Sequence, residues 1–178
     1  MMERLSKKIA FSSAFVALGL ILSYVEAIIP LNLFIPIPGF KLGLSNIAVT
    51  CAFLLLGARY AFAVLIGKIC LSSLLFGTVT SFYFSLLGGL MSFIPIVLYN
   101  IILDKYCGII GLSVFSAALH NVGQCLAAAT LFGGSVMVFY LPPLMFVSLI
   151  TGTVTALVIY LTYTRLSPIY KNLTSGKS

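Results

Sequence analysis

Six apolar runs separated by turn signals divide the chain, at approximately residues 9–29, 42–57, 60–77, 82–103, 111–132 and 141–163. Runs of this length read as helices. A membrane barrel would instead show segments of about ten residues alternating apolar and polar. The pattern therefore predicts an all-α membrane protein with six transmembrane helices, forming a single integral membrane domain over residues 1–178. The second and third runs are short: the 16 residues of the second, at about 1.5 Å each, cover roughly 24 Å of a hydrocarbon core about 30 Å thick. Such spans need protein neighbours or local thinning. The longest hydrophilic stretch is the tail after Leu166.

Composition agrees with this pattern. The chain is 61% hydrophobic and 7% charged, with a mean hydropathy of +1.20, whereas soluble domains carry roughly 25% charge. The net charge of +7 does not mark a nucleic-acid binder, because the basic residues sit at helix ends and not on one face. With six spans, Arg4, Lys7, Lys8, Arg59, Lys105, Arg165, Lys171 and Lys177 all fall on one side and Lys41 on the other. The positive-inside rule then puts both termini in the cytoplasm. A rival reading makes the N-terminus a signal peptide cleaved near Val25-Glu26-Ala27, but its apolar stretch exceeds the usual 7 to about 15 residues. Cys51, Cys70, Cys107 and Cys125 show no metal-binding spacing and read as mostly small apolar fillers.

Against this background the polar residues inside the runs stand out. Lys68 interrupts the third run, and His120, Asn121 and Gln124 interrupt the fifth. Counting along the helix axes puts Lys68 and His120 near the midplane, with Gln124 at i+4 on the His120 face. Asn46 lies about one turn below the outer surface, and Lys41 guards the mouth. An ionisable group at such depth costs about 2.5–3.5 kcal/mol and usually marks a substrate or ion pathway.

Together Lys41, Asn46, Lys68, His120, Asn121 and Gln124 predict an outward-opening cavity bounded by the second, third and fifth helices. Ammonium and amide donors, with Glu26 the one carboxylate open to joining them, favour an anionic or electron-rich ligand. Each residue also has a structural reading: Lys68 can snorkel, the amides and His120 can join helices, and Glu26 and Lys41 can form a surface pair. Residues 29–41 contain three prolines yet are apolar, which predicts a cap over the cavity. On the first helix Ala10, Ala14 and Ala17, with Ser13 alongside, form a small-residue stripe suited to close helix docking.

The segments Pro38-Gly-Phe-Lys-Leu-Gly-Leu-Ser-Asn46, Lys68-Ile-Cys-Leu-Ser-Ser-Leu, Ser85-Leu-Leu-Gly-Gly89 and Ala118-Leu-His-Asn-Val-Gly-Gln124 resemble, in order and spacing, those of the Gx transporter family. That family is also catalogued as heptaprenyl diphosphate synthase component I, and it looks like a branch of the substrate-binding S components of energy-coupling factor (ECF) transporters. The resemblance implies a six-helix S-component-like bundle in the bacterial cytoplasmic membrane that captures a vitamin or small metabolite from outside.

Its implied partners are the ECF transmembrane coupling subunit, docked through Ala10 and Ala14, and two ATPase subunits, since this chain has no Walker A sequence. The family usually has arginine where this chain has Lys68, so a bidentate fork becomes a point charge. Prenyl transfer needs clustered aspartates to hold magnesium on a diphosphate, and the three acids here, Glu3, Glu26 and Asp104, are far apart in sequence. The chain is therefore expected not to be an enzyme. Two rival expectations are a redox-associated membrane module holding a flavin or quinone-like ligand, and a purely structural subunit. An accessory role near prenyl or quinone metabolism also stays open.

Overall fold

In lipid every backbone polar group must be satisfied within the protein, so an open chain of apolar runs can only cross as helices. The computed structural model describes residues 2–29, 41–99 and 108–175 and contains, among them, helices and no strands. The helices are α1 (Met2–Ile28), α2 (Asn46–Leu56), α3 (Ala58–Phe76), α4 (Val79–Leu98), α5 (Gly108–Phe132) and α6 (Ser135–Ser175). Five are long and apolar enough to span a bilayer, and α2 is too short. Most of residues 29–41, the expected cap, lie outside the described residues, as do Cys107 and Lys105.

The second helix departs most from expectation. It was predicted over 42–57 but starts at Asn46, because a turn precedes it: Asn46 N–H donates to Gly43 O at 2.9 Å and Ile47 N–H to Leu44 O at 3.0 Å. Gly43 has φ of 84°, a conformation that β-carbon-bearing residues avoid. At 11 residues α2 spans only about 16 Å, so it does not cross unaided. It touches α1, α3, α4 and α6, and nearly all of it is buried. A helix apolar on all sides belongs in an interior, and here the interior is the bundle itself. Gly57, with φ of 92°, reverses the chain directly into α3.

The sixth helix was predicted over 141–163 and instead runs for 41 residues, roughly 60 Å. Pro142 and Pro143 lie within its first turns, and the polar stretch after Leu166 continues it past Pro168. Tertiary contacts hold that extension. Tyr170 packs edge-on against Phe11 at 5.1 Å, and Lys7 Nζ donates to Leu173 O at 2.8 Å. The two ends of the described chain therefore meet at one end of the bundle. Lys8 Nζ lies 5.3 Å from the Tyr60 ring centre, beside Arg59. The basic residues of α1, α3 and α6 thus share that end.

Helices α4 and α5 approach closely because of glycine. A Cβ on Gly123 would lie 2.5 Å from Leu87 O and 2.8 Å from Gly88 Cα, with backbone and no flexible side chain in the way. Gly88 is the opposite half of the same crossing, while Gly89 faces Leu65 and Ile69 of α3. Replacing Gly123 by Ala is expected to destabilise the bundle by about 1–3 kcal/mol, the usual cost of overpacking. Thermal unfolding of the detergent-solubilised protein checks this; an unchanged midpoint for Gly123→Ala would show that the helices do not meet here.

Candidate functional site

Five elements converge on Lys68. Its side chain rises from α3 with its aliphatic stem against α1, where a Cβ on Gly19 would come within 3.2 Å of Lys68 Cδ. The residue is 3% exposed. Its Nζ donates to Ser45 Oγ at 2.9 Å and to Asn46 Oδ1 at 2.7 Å, at the start of α2. The ammonium has three donors, and these two bonds place it inside the bundle instead of snorkelling to an interface.

His120 on α5 takes up the chain of contacts. Its Nδ1 is 3.1 Å from Asn46 Nδ2 and its Nε2 is 3.0 Å from Gln124 Nε2. A neutral imidazole accepts at only one nitrogen, so one carboxamide must present its oxygen. The Lys68 bond decides which. At 2.7 Å it fixes Asn46 Oδ1 as its acceptor and leaves Asn46 Nδ2 to donate to Nδ1. That bond favours the proton on Nε2, where Gln124 Oε1 receives it once the carboxamide turns from its 3.4 Å bond with Lys41 N; the Gly88 backbone carbonyl is a second acceptor for the ring. Hydrogen bonding thus runs in one direction, from Lys68 through Asn46 and His120 to Gln124. Glycines make room for the ring: Cβ atoms on Gly88 and Gly43 would lie 2.8 Å and 3.0 Å from it.

The other side of the site was only half anticipated. Lys41 Nζ donates to Ser85 Oγ of α4 at 2.9 Å, not to a surface carboxylate. Burial lowers the Lys41 pKa from its ordinary value, and the Glu26 carboxylate pulls it the other way. Glu26 of α1 is 2% exposed, and its Oε1 accepts from Leu44 N–H at 2.7 Å. The sequence left it open as half of a surface pair or as the one carboxylate of the cavity, and it is buried in the cavity lining. The one residue expected there that turns away is Asn121. Its Nδ2 donates to Leu144 O of α6 at 3.0 Å, because a step of one residue rotates it about 100° from His120.

Lys41, Asn46, Lys68 and His120, with Glu26 and Ser85, line a cavity of about 10 Å³, room for about one water. A neighbouring cavity of about 20 Å³ lies between α2, α5 and α6, lined by hydroxyls of Thr50, Ser113, Ser116 and Thr155. Gly43 and Asn46 border both. Among the described residues no three His, Cys, Asp or Glu side chains gather as metal ligands. Ala10, Ser13, Ala14 and Ala17 are all exposed on the outer face of α1, so their stripe is not used within the bundle. Cys51 and Cys125 are core fillers as expected, whereas Cys70 is exposed.

A model of the family described as heptaprenyl diphosphate synthase component I matches residues 15–161. No curated protein and no solved structure matches the chain. The matched region includes every residue of the site.

His120 is the only histidine in the chain, so its protonation can be read without assignment. Nitrogen-15 NMR of histidine-labelled protein is expected to show the proton on Nε2 and a bare Nδ1. The opposite tautomer would mean that the ring donates from Nδ1 to the Gly88 carbonyl and that Asn46 does not donate to it. Gly88→Ala, which pushes a methyl group against the ring, is expected to shift both nitrogen resonances.

Proposed function

The chain belongs to the heptaprenyl diphosphate synthase component I family, and we propose that it is a membrane-embedded subunit that captures a small polar or anionic molecule and hands it to partner subunits. The observation that carries this reading is the convergence of Lys41, Asn46, Lys68, His120 and Gln124 at one buried site away from the basic end of the bundle. The positive-inside rule makes the basic end cytoplasmic, so the site faces the outer side. The family's description as a component of a synthase supports partnership with other chains.

Prenyl transfer by this chain alone is not part of the proposal. A diphosphate-bound magnesium ion needs several carboxylates at one place, and among the described residues Glu26 is the one acid at this site. A partner is expected instead on the exposed stripe of Ala10 and Ala14, which permits close approach of a second helix. We assign this stripe to a transmembrane coupling subunit, with two ATPase subunits behind it, as in ECF importers. A molecule larger than water needs more room than about 10 Å³, so admission requires the Lys41–Ser45 segment to part from α1 and α4.

That small volume also favours a second reading, in which the polar network only joins helices and the chain is an assembly subunit. Native mass spectrometry of the detergent-extracted protein separates the two. Under the first reading wild type retains a small molecule, and Lys68→Ala weakens its binding by about 2 kcal/mol or more, the loss of a charge-assisted hydrogen bond. A wild-type protein that carries nothing supports the assembly reading. Ala14→Trp is expected to abolish co-purification with the partner chains while leaving small-molecule retention intact; continued assembly would remove the stripe from the interface.

A further inference from the structure

Glu26 holds the segment before α2 against the backbone N–H groups of Leu44 and Ser45, with the Leu44 bond on one oxygen and the other oxygen without a hydrogen-bond partner. Its Oε1 accepts from Leu44 N–H, and its Oε2 is buried with no hydrogen-bond partner among the described residues. A buried carboxylate oxygen without a donor is costly to maintain, and a purely structural latch needs only the first bond. Glu26 also lines the cavity that Lys41, Lys68 and His120 line. Acceptor and donors therefore border the same space.

The sum of these groups restricts what fits. Two ammonium groups alone would suit any anion. A carboxylate on the same cavity repels an anion that has only acceptors and rewards one that also carries a donor. Both lysines already use part of their donor capacity, Lys68 on Ser45 and Asn46 and Lys41 on Ser85. Oε2 is the one acceptor among them without such a commitment.

Resting on the capture reading above, we propose that Glu26 is a ligand-binding residue, and that the captured molecule presents a hydrogen-bond donor, N–H or O–H, close to the acceptor or anionic group met by the lysines. Zwitterions and ring amides have this pattern; simple carboxylates and phosphate diesters do not. Selectivity arises because a molecule lacking the donor leaves the Glu26 oxygen unpaired.

The test uses the full-length protein in detergent, loaded with a small-molecule extract of the expression host, washed, and examined by native mass spectrometry. Wild type is compared with Glu26→Gln and Lys68→Ala. Glutamine keeps a carbonyl for Leu44 N–H but puts an NH₂ where Oε2 stood. The retained species is expected to carry a donor, and Glu26→Gln to retain about tenfold less of it or lower still, as for loss of one charge-assisted hydrogen bond. Equal retention by Glu26→Gln with loss in Lys68→Ala would overturn this proposal and leave capture standing. So would a retained species with no N–H or O–H. No retained species on wild type would overturn both. If Glu26→Gln does not fold, methylating the donor of the identified species decides the matter on wild type: binding is expected to be lost, and undiminished binding overturns the proposal.

Discussion

A lysine ammonium cannot be buried in a membrane bundle unless fixed acceptors surround it, and Lys68 obtains its acceptors from the first residues of α2. That requirement sets much of the architecture. Ser45 and Asn46 must stand opposite the middle of α3, so the chain turns at Gly43 and Leu44 before it starts the helix. Helix α2 is left too short to cross and lies wholly among its neighbours. The Asn46 amide, polarised by the ammonium on its oxygen, is fixed as a donor on its nitrogen, which orients His120 and then Gln124. One charge thus orders side chains on three helices.

Small residues make the arrangement possible. Gly19 gives the lysine stem its place against α1, and Gly43 and Gly88 hold the imidazole from two sides. Gly123 brings the backbones of α4 and α5 together so that His120 can reach the group at all. Without strong apolar driving force between helices in lipid, such close packing and the interhelical hydrogen bonds carry the association. The site and the stability of the bundle therefore draw on the same contacts.

Much of this was legible in the sequence, for physical reasons. Charged and amide side chains in apolar runs are rare enough that Lys68, His120 and Gln124 identify themselves, and the i+4 relation of the last two holds in space at 3.0 Å. What escaped depended on tertiary geometry. Glu26 sits two residues from the end of α1, where a carboxylate ordinarily meets water, and only the return of Leu44 buries it. For Asn121 the angle about the helix was readable and left both a cavity role and a helix-joining role open; only the fold shows that it joins α6. The segment 42–45 is apolar enough to extend a helix, and the strain-free turn at Gly43 ends that possibility. The polar end of α6 lacks any membrane signal; its helicity comes from docking on Phe11 and Lys7.

Helix α1 is fastened at both extremities, by Lys7 and Phe11 to α6 at the basic end and by Glu26 to Leu44 at the other. The first fastening combines ring packing and a hydrogen bond, whereas the second is the Glu26 carboxylate against the Leu44 and Ser45 backbone. The alanine face lies open, some 14–24 Å from Glu26 along the helix at about 1.5 Å per residue. Gly19, across the helix from those alanines, packs on the Lys68 stem, so whatever grips the alanine face bears on the site through the body of α1 without touching it.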